Sequence, residues 1–254
     1  MKKGVYICIL LLSLTSCKGT DNKTLTIATA ANMQFAMDEL VRTFAEKTDI
    51  PAHTVVASSG KLTAQIKTGA PYHIFVSADM KYPNTLYKEG FSTKEPQIYA
   101  YGTLVLWSTS KTTPELDSLL QPNIAHIAIA NPKNAPYGKA AITTLAKLNM
   151  LDSLRGKLVY GESIAQTNQF VLSGAAQVGF TAKAVVLSPK MEDQGRYSEI
   201  PSHLYNPISQ GVIVVKQEHL QTESQLFYEF LFSSEAQSIL RKYGYTIPEK
   251  SIGL

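Results

Sequence analysis

Four segments of the sequence place small or helix-capping residues directly between an apolar run and a helical pattern. They are residues 29–32, 57–60, 131–138 and 161–164. A helix start exposes backbone N–H groups without intrahelical partners and carries the positive end of the helix dipole. It can therefore bind an anion without a formal positive charge. One capped helix is usually only structural, so the prediction of an anion site requires the four starts to meet in one cleft.

Polar side chains at these junctions suggest which groups would donate. Asn32 and Ser59 add side-chain donors to the first two segments. Pro136 fits the first turn of a helix, where a missing N–H costs nothing. Asp79 follows an apolar run as well, and we interpret it as a helix cap rather than a catalytic carboxylate.

The sequence lacks the motifs of phosphate-binding loops, catalytic sites and metal sites. Gly60-Lys61 suggests a phosphate-binding loop, but Val55 and Leu62 occupy the positions where that motif needs glycine and Ser or Thr. No Gly-x-Ser-x-Gly turn is present, and the carboxylates form no pair placed for acid–base work. The histidines show no metal-ligand spacing: His53, His73, His126, His203 and His219. The sequence therefore predicts neither catalytic residues nor direct metal ligands.

Strand and helix patterns alternate along most of the chain. This order predicts an α/β fold with mostly parallel sheets, in which ligands lie beyond the carboxyl ends of the strands. The four junctions are at such ends. Strands are expected at 25–28, 54–56, 74–76, 103–107, 127–130, 178–180 and 212–215.

The first residues are typical of an export signal. Lys2 and Lys3 precede an apolar run at residues 5–14, which is short for a membrane span. Leu14-Thr15-Ser16-Cys17 resembles the lipobox of bacterial lipoproteins, which implies cleavage before Cys17 and acylation of its sulfur. We expect a signal peptide at 1–16 and a tether at 17–24. An ordinary signal peptide with an incidental cysteine is the alternative.

Composition narrows the class of protein. The two cysteines are Cys8 and Cys17, so the exported body would hold no disulfide and no thiolate metal site. The net charge is +4, of which Lys2 and Lys3 contribute two, and this balance does not favour nucleic-acid binding. The length suits one large or two medium domains.

Several strings occur in an order and spacing that together are specific. They lie at 30–32, 58–62, 65–66, 69–71, 77–79, 102–108, 131–133, 135–138, 161–166 and 241–245. Over nearly the whole exported chain they resemble the periplasmic molybdate-binding proteins of ABC transporters. The resemblance implies a two-lobed type II periplasmic-binding-protein fold with the ligand between the lobes. One lobe would combine 25–99 with 206–254 and the other would hold 100–205, with the strands near Leu104 and Val212 as crossovers.

The resemblance also implies the binding residues. Asn32 and Ser59 would donate from side chain and backbone, Tyr137 and Ile164 from the backbone N–H, and Ala31 through its backbone. Molybdenum would be held only through its oxygens, without a direct protein ligand to the metal.

Two positions depart from the family pattern. Some members have a tyrosine donor after the Gly-Phe strand, whereas residues 179–183 read Gly-Phe-Thr-Ala-Lys. The chain thus resembles the branch that has asparagine at the first junction and lacks that tyrosine. His73 stands where the family usually has another residue. A charged His73 near the cleft would add pH dependence, and an ordinary surface histidine is the alternative.

These features predict a monomeric, lipid-anchored binding protein of the periplasm or cell envelope. It would capture molybdate or tungstate and deliver it to an ABC permease and its ATPase, with no role in nucleic-acid binding or catalysis. The sequence does not separate the two anions. Alternatives are a binding protein for sulfate, phosphate or an organic acid, an enzyme on the same scaffold, and a signalling or adhesion lipoprotein.

Overall fold

The computed structural model describes residues 24–249. The predicted signal peptide, the acylated Cys17 and the tether up to residue 23 lie outside the described residues. Within the described residues, no helix combines the length and apolar character needed to cross a membrane.

Strands and helices alternate along most of the described chain, as the sequence pattern predicts. The strands are β1 (Leu25–Ala30), β2 (Ala52–Ala57), β3 (Ile74–Val76), β4 (Gln97–Gly102), β5 (Leu104–Ser108), β6 (Ile127–Ala130), β7 (Leu158–Gly161), β8 (Val178–Ala182), β9 (Arg196–Glu199) and β10 (Ile208–Val214). The helices are α1 (Gln34–Thr48), α2 (Ser59–Lys67), α3 (Lys81–Lys88), α4 (Pro136–Lys147), α5 (Leu151–Leu154), α6 (Ile164–Leu172), α7 (Lys183–Val186), α8 (Gln221–Leu231) and α9 (Ser234–Lys242).

The strands form two five-stranded sheets, one in each lobe. The first lobe contains the order β2-β1-β3-β10-β4, and the second contains β7-β6-β8-β5-β9. β1 is parallel to β2 and β3, and β6 is parallel to β7 and β8. β10 and β5 run antiparallel to their neighbours. Three neighbouring strands of each sheet are therefore parallel, as expected. The other two strands make each sheet mixed.

Helices bury both faces of the first sheet. α1, α8 and α9 cover one face, where Phe44 packs edge-to-face on Phe227 with ring centroids 5.1 Å apart and Leu240 is fully buried. α2 and α3 cover the other face with Leu62 and Leu86. Each such side chain stabilises the fold by about 1.5–3 kcal/mol through burial. This packing fixes where the helices begin relative to the strand ends.

The chain crosses between the sheets later than the sequence suggests. β4 pairs with β10 in the first lobe, so the boundary expected at residue 100 falls inside this strand. The crossing lies at Thr103, between β4 and β5, and the return lies between β9 and β10. β5 and β10 each belong wholly to one sheet, so neither is itself a crossover. The β-prone run from 97 to 108 is interrupted only at Thr103, which explains why sequence reasoning missed β4.

Candidate anion-binding site

The four junctions meet at the interface of the two lobes. Ala30 and Ala57, at the carboxyl ends of β1 and β2, are paired in register, and so are Ala130 and Gly161 at the ends of β6 and β7. The space enclosed is about 10 Å³, which is room for the centre of one water-sized group. All five residues expected at the site line it, together with others: Ala30, Ala31, Asn32, Ser58, Ser59, Ala78, Ala135, Pro136, Tyr137 and Ile164.

Ser59 is the first residue of α2 and is almost fully buried. Ser58 precedes it as the N-cap, and its hydroxyl accepts the N–H of Lys61 at 3.4 Å. The Ser59 hydroxyl accepts the N–H of Ala78 at 3.0 Å. A hydroxyl that accepts in this way keeps its own proton for donation. Ser59 can therefore offer an O–H and a first-turn backbone N–H to the same cavity.

Asn32 lies in a 3-10 turn, Ala31–Met33, which precedes α1. Its Nδ2 donates to Gln210 Oε1 at 2.8 Å and to the Tyr245 hydroxyl at 3.0 Å. The Tyr245 hydroxyl donates to the Asn32 carbonyl at 3.1 Å. The Asn32 side chain is thus held by groups from distant parts of the chain.

Sequence reasoning missed the residues that hold Asn32. Gln210 is fully buried on β10, and its Oε1 also accepts from the Tyr99 hydroxyl at 2.8 Å. A glutamine beside the apolar run 211–215 was the available signal, since a buried amide needs partners. Tyr245 belongs to one of the strings that carry the family resemblance, but the sequence does not indicate what its hydroxyl contacts.

The second lobe presents helix starts rather than polar side chains. Pro136 opens α4, and Ser163 caps α6 by accepting the N–H of Gln166 at 3.4 Å. Tyr137 and Ile164 occupy the first turns of these helices and are buried. N–H groups in a first turn have no intrahelical acceptor, so they are available to a ligand.

The Tyr137 hydroxyl is engaged away from its own helix start. It accepts from Gln210 Nε2 at 3.3 Å, across the boundary between the lobes. Burial raises the pKa of Tyr137 well above its usual value, as it does for Tyr99 and Tyr245. These hydroxyls are therefore neutral and can both donate and accept.

The residues that line the cavity carry no formal charge. Lys61, two residues beyond Ser59, pairs with Glu162 of the second lobe at 2.8 Å. Both side chains are about half exposed, so water screens the pair. The helix starts supply the positive ends of helix dipoles at the cavity, which favours an anion without a formal positive charge.

Backbone contacts also join the two sides of the cleft. The Gly60 N–H donates to the Asn134 carbonyl at 3.0 Å, and the Tyr82 hydroxyl donates to the Lys133 carbonyl at 3.0 Å. With the Lys61–Glu162 pair, these contacts hold the lobes together beside the cavity. The arrangement can exclude bulk water from an enclosed anion.

Two further residues have structural roles. Asp79 Oδ1 accepts the N–H of Tyr82, in the first turn of α3, at 3.2 Å, although Met80 and not Asp79 occupies the N-cap position. His73 lies just before β3, at the opposite end of the sheet from the cavity, where its Nδ1 accepts the N–H of Thr26 at 3.0 Å. Burial lowers the pKa of His73. The hypothesis of a charged His73 near the cleft is therefore wrong.

Known proteins are similar to this chain in both sequence and architecture. A family model described as bacterial extracellular solute-binding protein matches residues 25–246. Molybdate-binding protein ModA of Rhodobacter capsulatus is 37% identical over 220 residues, 86% of each chain, and that of Azotobacter vinelandii is 35% identical over 222 residues, 86% of this chain and 88% of the relative. The solved periplasmic molybdate-binding protein of A. vinelandii superposes with a TM-score of 0.84 at 33% identity, covering 89% of this chain and all of the other.

Proposed function

Because the chain belongs to the bacterial extracellular solute-binding proteins, we propose that it captures molybdate or tungstate between its lobes and delivers the anion to an ABC importer. One observation carries this proposal: four helix starts converge on a small buried cavity whose lining residues are all uncharged. The residues proposed to donate are Asn32, Ser59, Tyr137, Ile164 and Ala31.

The donor set favours a fully deprotonated oxyanion. Backbone N–H groups and the Ser59 hydroxyl each offer a proton, and none of the backbone donors can accept one. Once the Asn32 amide donates into the cavity, hydrogen phosphate would bury an O–H without a good acceptor, which costs about 1–3 kcal/mol. Sulfate is deprotonated as well, so the size of the occupied site, which must open beyond the described water-sized space, has to separate sulfate from molybdate. Molybdate and tungstate have nearly the same size, and both remain in the proposal.

A panel of anions tests this function directly. Thermal unfolding of the exported domain is followed with molybdate, tungstate, sulfate and phosphate. An anion at 100 times its dissociation constant adds about 2.7 kcal/mol to the free energy of unfolding. We expect this shift with molybdate and tungstate and a much smaller one with the others. A larger shift with sulfate or phosphate would assign the protein to that anion instead.

We also propose that the exported protein is anchored by an acylated Cys17 and works as a monomer beside its permease and ATPase. The lipobox-like residues 14–17 support the anchor. Cys17→Ala should release the protein from the membrane fraction or block its processing. Normal retention of this variant in membranes would contradict the anchor and leave the ligand proposal intact.

A further inference from the structure

A buried network of five polar side chains connects the proposed site to both lobes. Asn32, Tyr99, Gln210 and Tyr245 come from the first lobe, and Tyr137 comes from the second. None is more than 4% exposed. Gln210 is at its centre, because its amide contacts Asn32, Tyr99 and Tyr137.

The hydrogen bonds of Asn32 are unevenly distributed. Its Nδ2 donates to Gln210 and to Tyr245, which uses both protons. Its Oδ1 is buried and has no hydrogen-bond partner within residues 24–249. Such an acceptor destabilises the fold when it stays unpaired. Asn32 lines the cavity, whereas Gln210 and Tyr245 do not. The nitrogen end of the Asn32 amide faces these two residues, so the unpaired oxygen is at the other end of the amide.

A bound anion requires the opposite orientation of the Asn32 amide. A half-turn about the Cβ–Cγ bond exchanges the nitrogen and the oxygen with almost no change in shape. Asn32 would then donate into the cavity, and its Oδ1 would face Gln210. That orientation is stable only if Gln210 donates to Asn32 through Nε2, which requires a half-turn of the Gln210 amide as well.

The neighbouring hydroxyls allow Gln210 to turn. After its half-turn, Gln210 Oε1 faces the Tyr137 hydroxyl, which can donate to it instead of accepting. The Tyr99 hydroxyl can accept from Nε2 instead of donating to Oε1. The Tyr245 hydroxyl has one proton, so it must turn this proton from the carbonyl of Asn32 to Oδ1. Every bond between the side chains of the network then has an equivalent with donor and acceptor exchanged, and the bond to the carbonyl of Asn32 is given up.

We infer that Gln210 is a positioning and specificity-determining residue, which decides through Asn32 whether a ligand oxygen meets a donor or an acceptor. The inference rests on the proposed function, an oxyanion bound beside Asn32. A fully deprotonated oxyanion takes the arrangement in which Gln210 donates to Asn32. A ligand that carries an O–H takes the arrangement in which Gln210 accepts from Asn32.

The test compares two anions that differ in protonation. At mildly alkaline pH selenate and hydrogen arsenate are dianions of similar size, and only the arsenate carries a proton. Their affinities are measured by competition with molybdate for the parent, Gln210→Glu and Gln210→Leu. The new carboxylate, when ionised, can only accept, so it fixes the Asn32 amide with its nitrogen toward the network. One N–H then binds the carboxylate and the other binds Tyr245, and neither is available to the ligand. We expect Gln210→Glu to shift the preference toward arsenate by about tenfold or more, since a hydrogen bond to a charged group contributes about 1.5–3 kcal/mol.

Two controls separate this role from damage to the fold. Gln210→Leu removes the partner and leaves Asn32 free to turn, so overall affinity falls while the selenate-to-arsenate preference stays near that of the parent. Gln177→Glu makes the same chemical change in the second lobe, where Oε1 accepts from the N–H groups of Ala125 and His126 at 3.0 and 2.8 Å. It should change neither affinity nor preference.

An NMR measurement on the parent covers the case in which Gln210→Glu does not fold. Molybdate should shift the side-chain amide signals of both Asn32 and Gln210 in isotope-labelled protein, although only Asn32 would touch the anion. An unchanged Gln210 signal overturns the inference, and so does an equal change of preference in Gln210→Glu and Gln210→Leu. If the parent binds selenate or arsenate but not molybdate, the proposed function fails and the role of Gln210 is still decided by the preference.

Discussion

The two sides of the cleft build the same kind of site from different parts of the chain. The first lobe contributes Asn32, whose side chain donates to Gln210 and Tyr245, and Ser59, whose hydroxyl accepts the N–H of Ala78. The second lobe contributes the first turns of α4 and α6, at Tyr137 and Ile164, where only the backbone can donate into the cavity.

This difference separates side-chain chemistry from backbone position. On the first side, affinity should depend on which side chain is present, because hydroxyl and amide groups are the proposed donors. On the second side, affinity should depend on where the helix begins, because any residue supplies an N–H except proline. The first lobe should therefore be sensitive to loss of a polar group and the second to displacement of its backbone.

The largest effect is expected from a backbone displacement in the second lobe. In Gly138→Ala the new Cβ would lie 1.9 Å from the carbonyl oxygen of Ala130, so β6 or the first turn of α4 must move. We expect molybdate affinity to fall by about a hundredfold or more, together with a loss of stability of about 1–3 kcal/mol. Calorimetry and thermal unfolding measure the two quantities. Gly156→Ala is the control, because its Cβ would meet no atom within 4 Å; parent-like affinity in Gly138→Ala would contradict the backbone mechanism.

Loss of a polar group in the first lobe should come next. Ser59→Ala removes a proposed hydroxyl donor and the acceptor of the Ala78 N–H. We expect an affinity loss of about 1.5–3 kcal/mol, or roughly tenfold to a hundredfold, by calorimetry. Ser163→Ala is the matched change in the second lobe. Since Ser163 acts as a cap, it should cost about 1 kcal/mol of stability and less affinity than Ser59→Ala; the reverse order would remove the distinction between the two sides.

A smaller effect is expected from Lys61, which follows Ser59 and Gly60 in the sequence. Lys61→Ala breaks an exposed ion pair with Glu162 and should weaken binding by at most about 1 kcal/mol. Binding by the parent should depend only weakly on salt, because screening ions stay outside the enclosed cavity. Titrations at two salt concentrations measure both effects. If Lys61→Ala loses more affinity than Ser59→Ala, the neutral-donor mechanism is incorrect even with molybdate as the ligand.

The smallest effect is expected from Tyr137→Phe. The proposed donor is the backbone N–H, which the substitution keeps, and the lost hydroxyl contacts Gln210. We expect affinity close to that of the parent and a smaller loss than in Lys61→Ala, well under the roughly 1.5 kcal/mol of a hydrogen bond to the anion. Calorimetry on this variant would show a larger loss if the hydroxyl itself served the anion, and the second lobe would then also use side-chain chemistry.

Much of the fold and of the candidate site was predictable from local signals. Caps such as Ser163 and first-turn residues such as Pro136 mark helix starts within a few residues, and helical periodicity identifies the buried faces. The family resemblance then indicated which starts belong together. The structure brings the five expected residues to one cavity, and their roles as ligand donors stay predictions.

The missed features depend on contacts distant in sequence. Gln210 and Tyr245 hold Asn32 from 178 and 213 positions away. No local pattern encodes such a pair, because it exists only once β10 lies beside β3 and the chain end returns to the first lobe. β4 was missed for a related reason, since β4 and β5 form one β-prone run and pairing with β10 alone assigns β4 to the first sheet.

The sequence by itself determined most of the order of strands and helices, the uncharged residue types at the helix starts and the resemblance to the family. Those properties follow from residue type and short spacing, which act within one turn or one strand. Only the tertiary structure decided which end of the Asn32 amide faces Gln210, that the Tyr137 hydroxyl reaches across the lobes, and that His73 lies far from the cleft. The direction of a buried hydrogen bond depends on every partner around it, and those partners meet only when both sheets have packed.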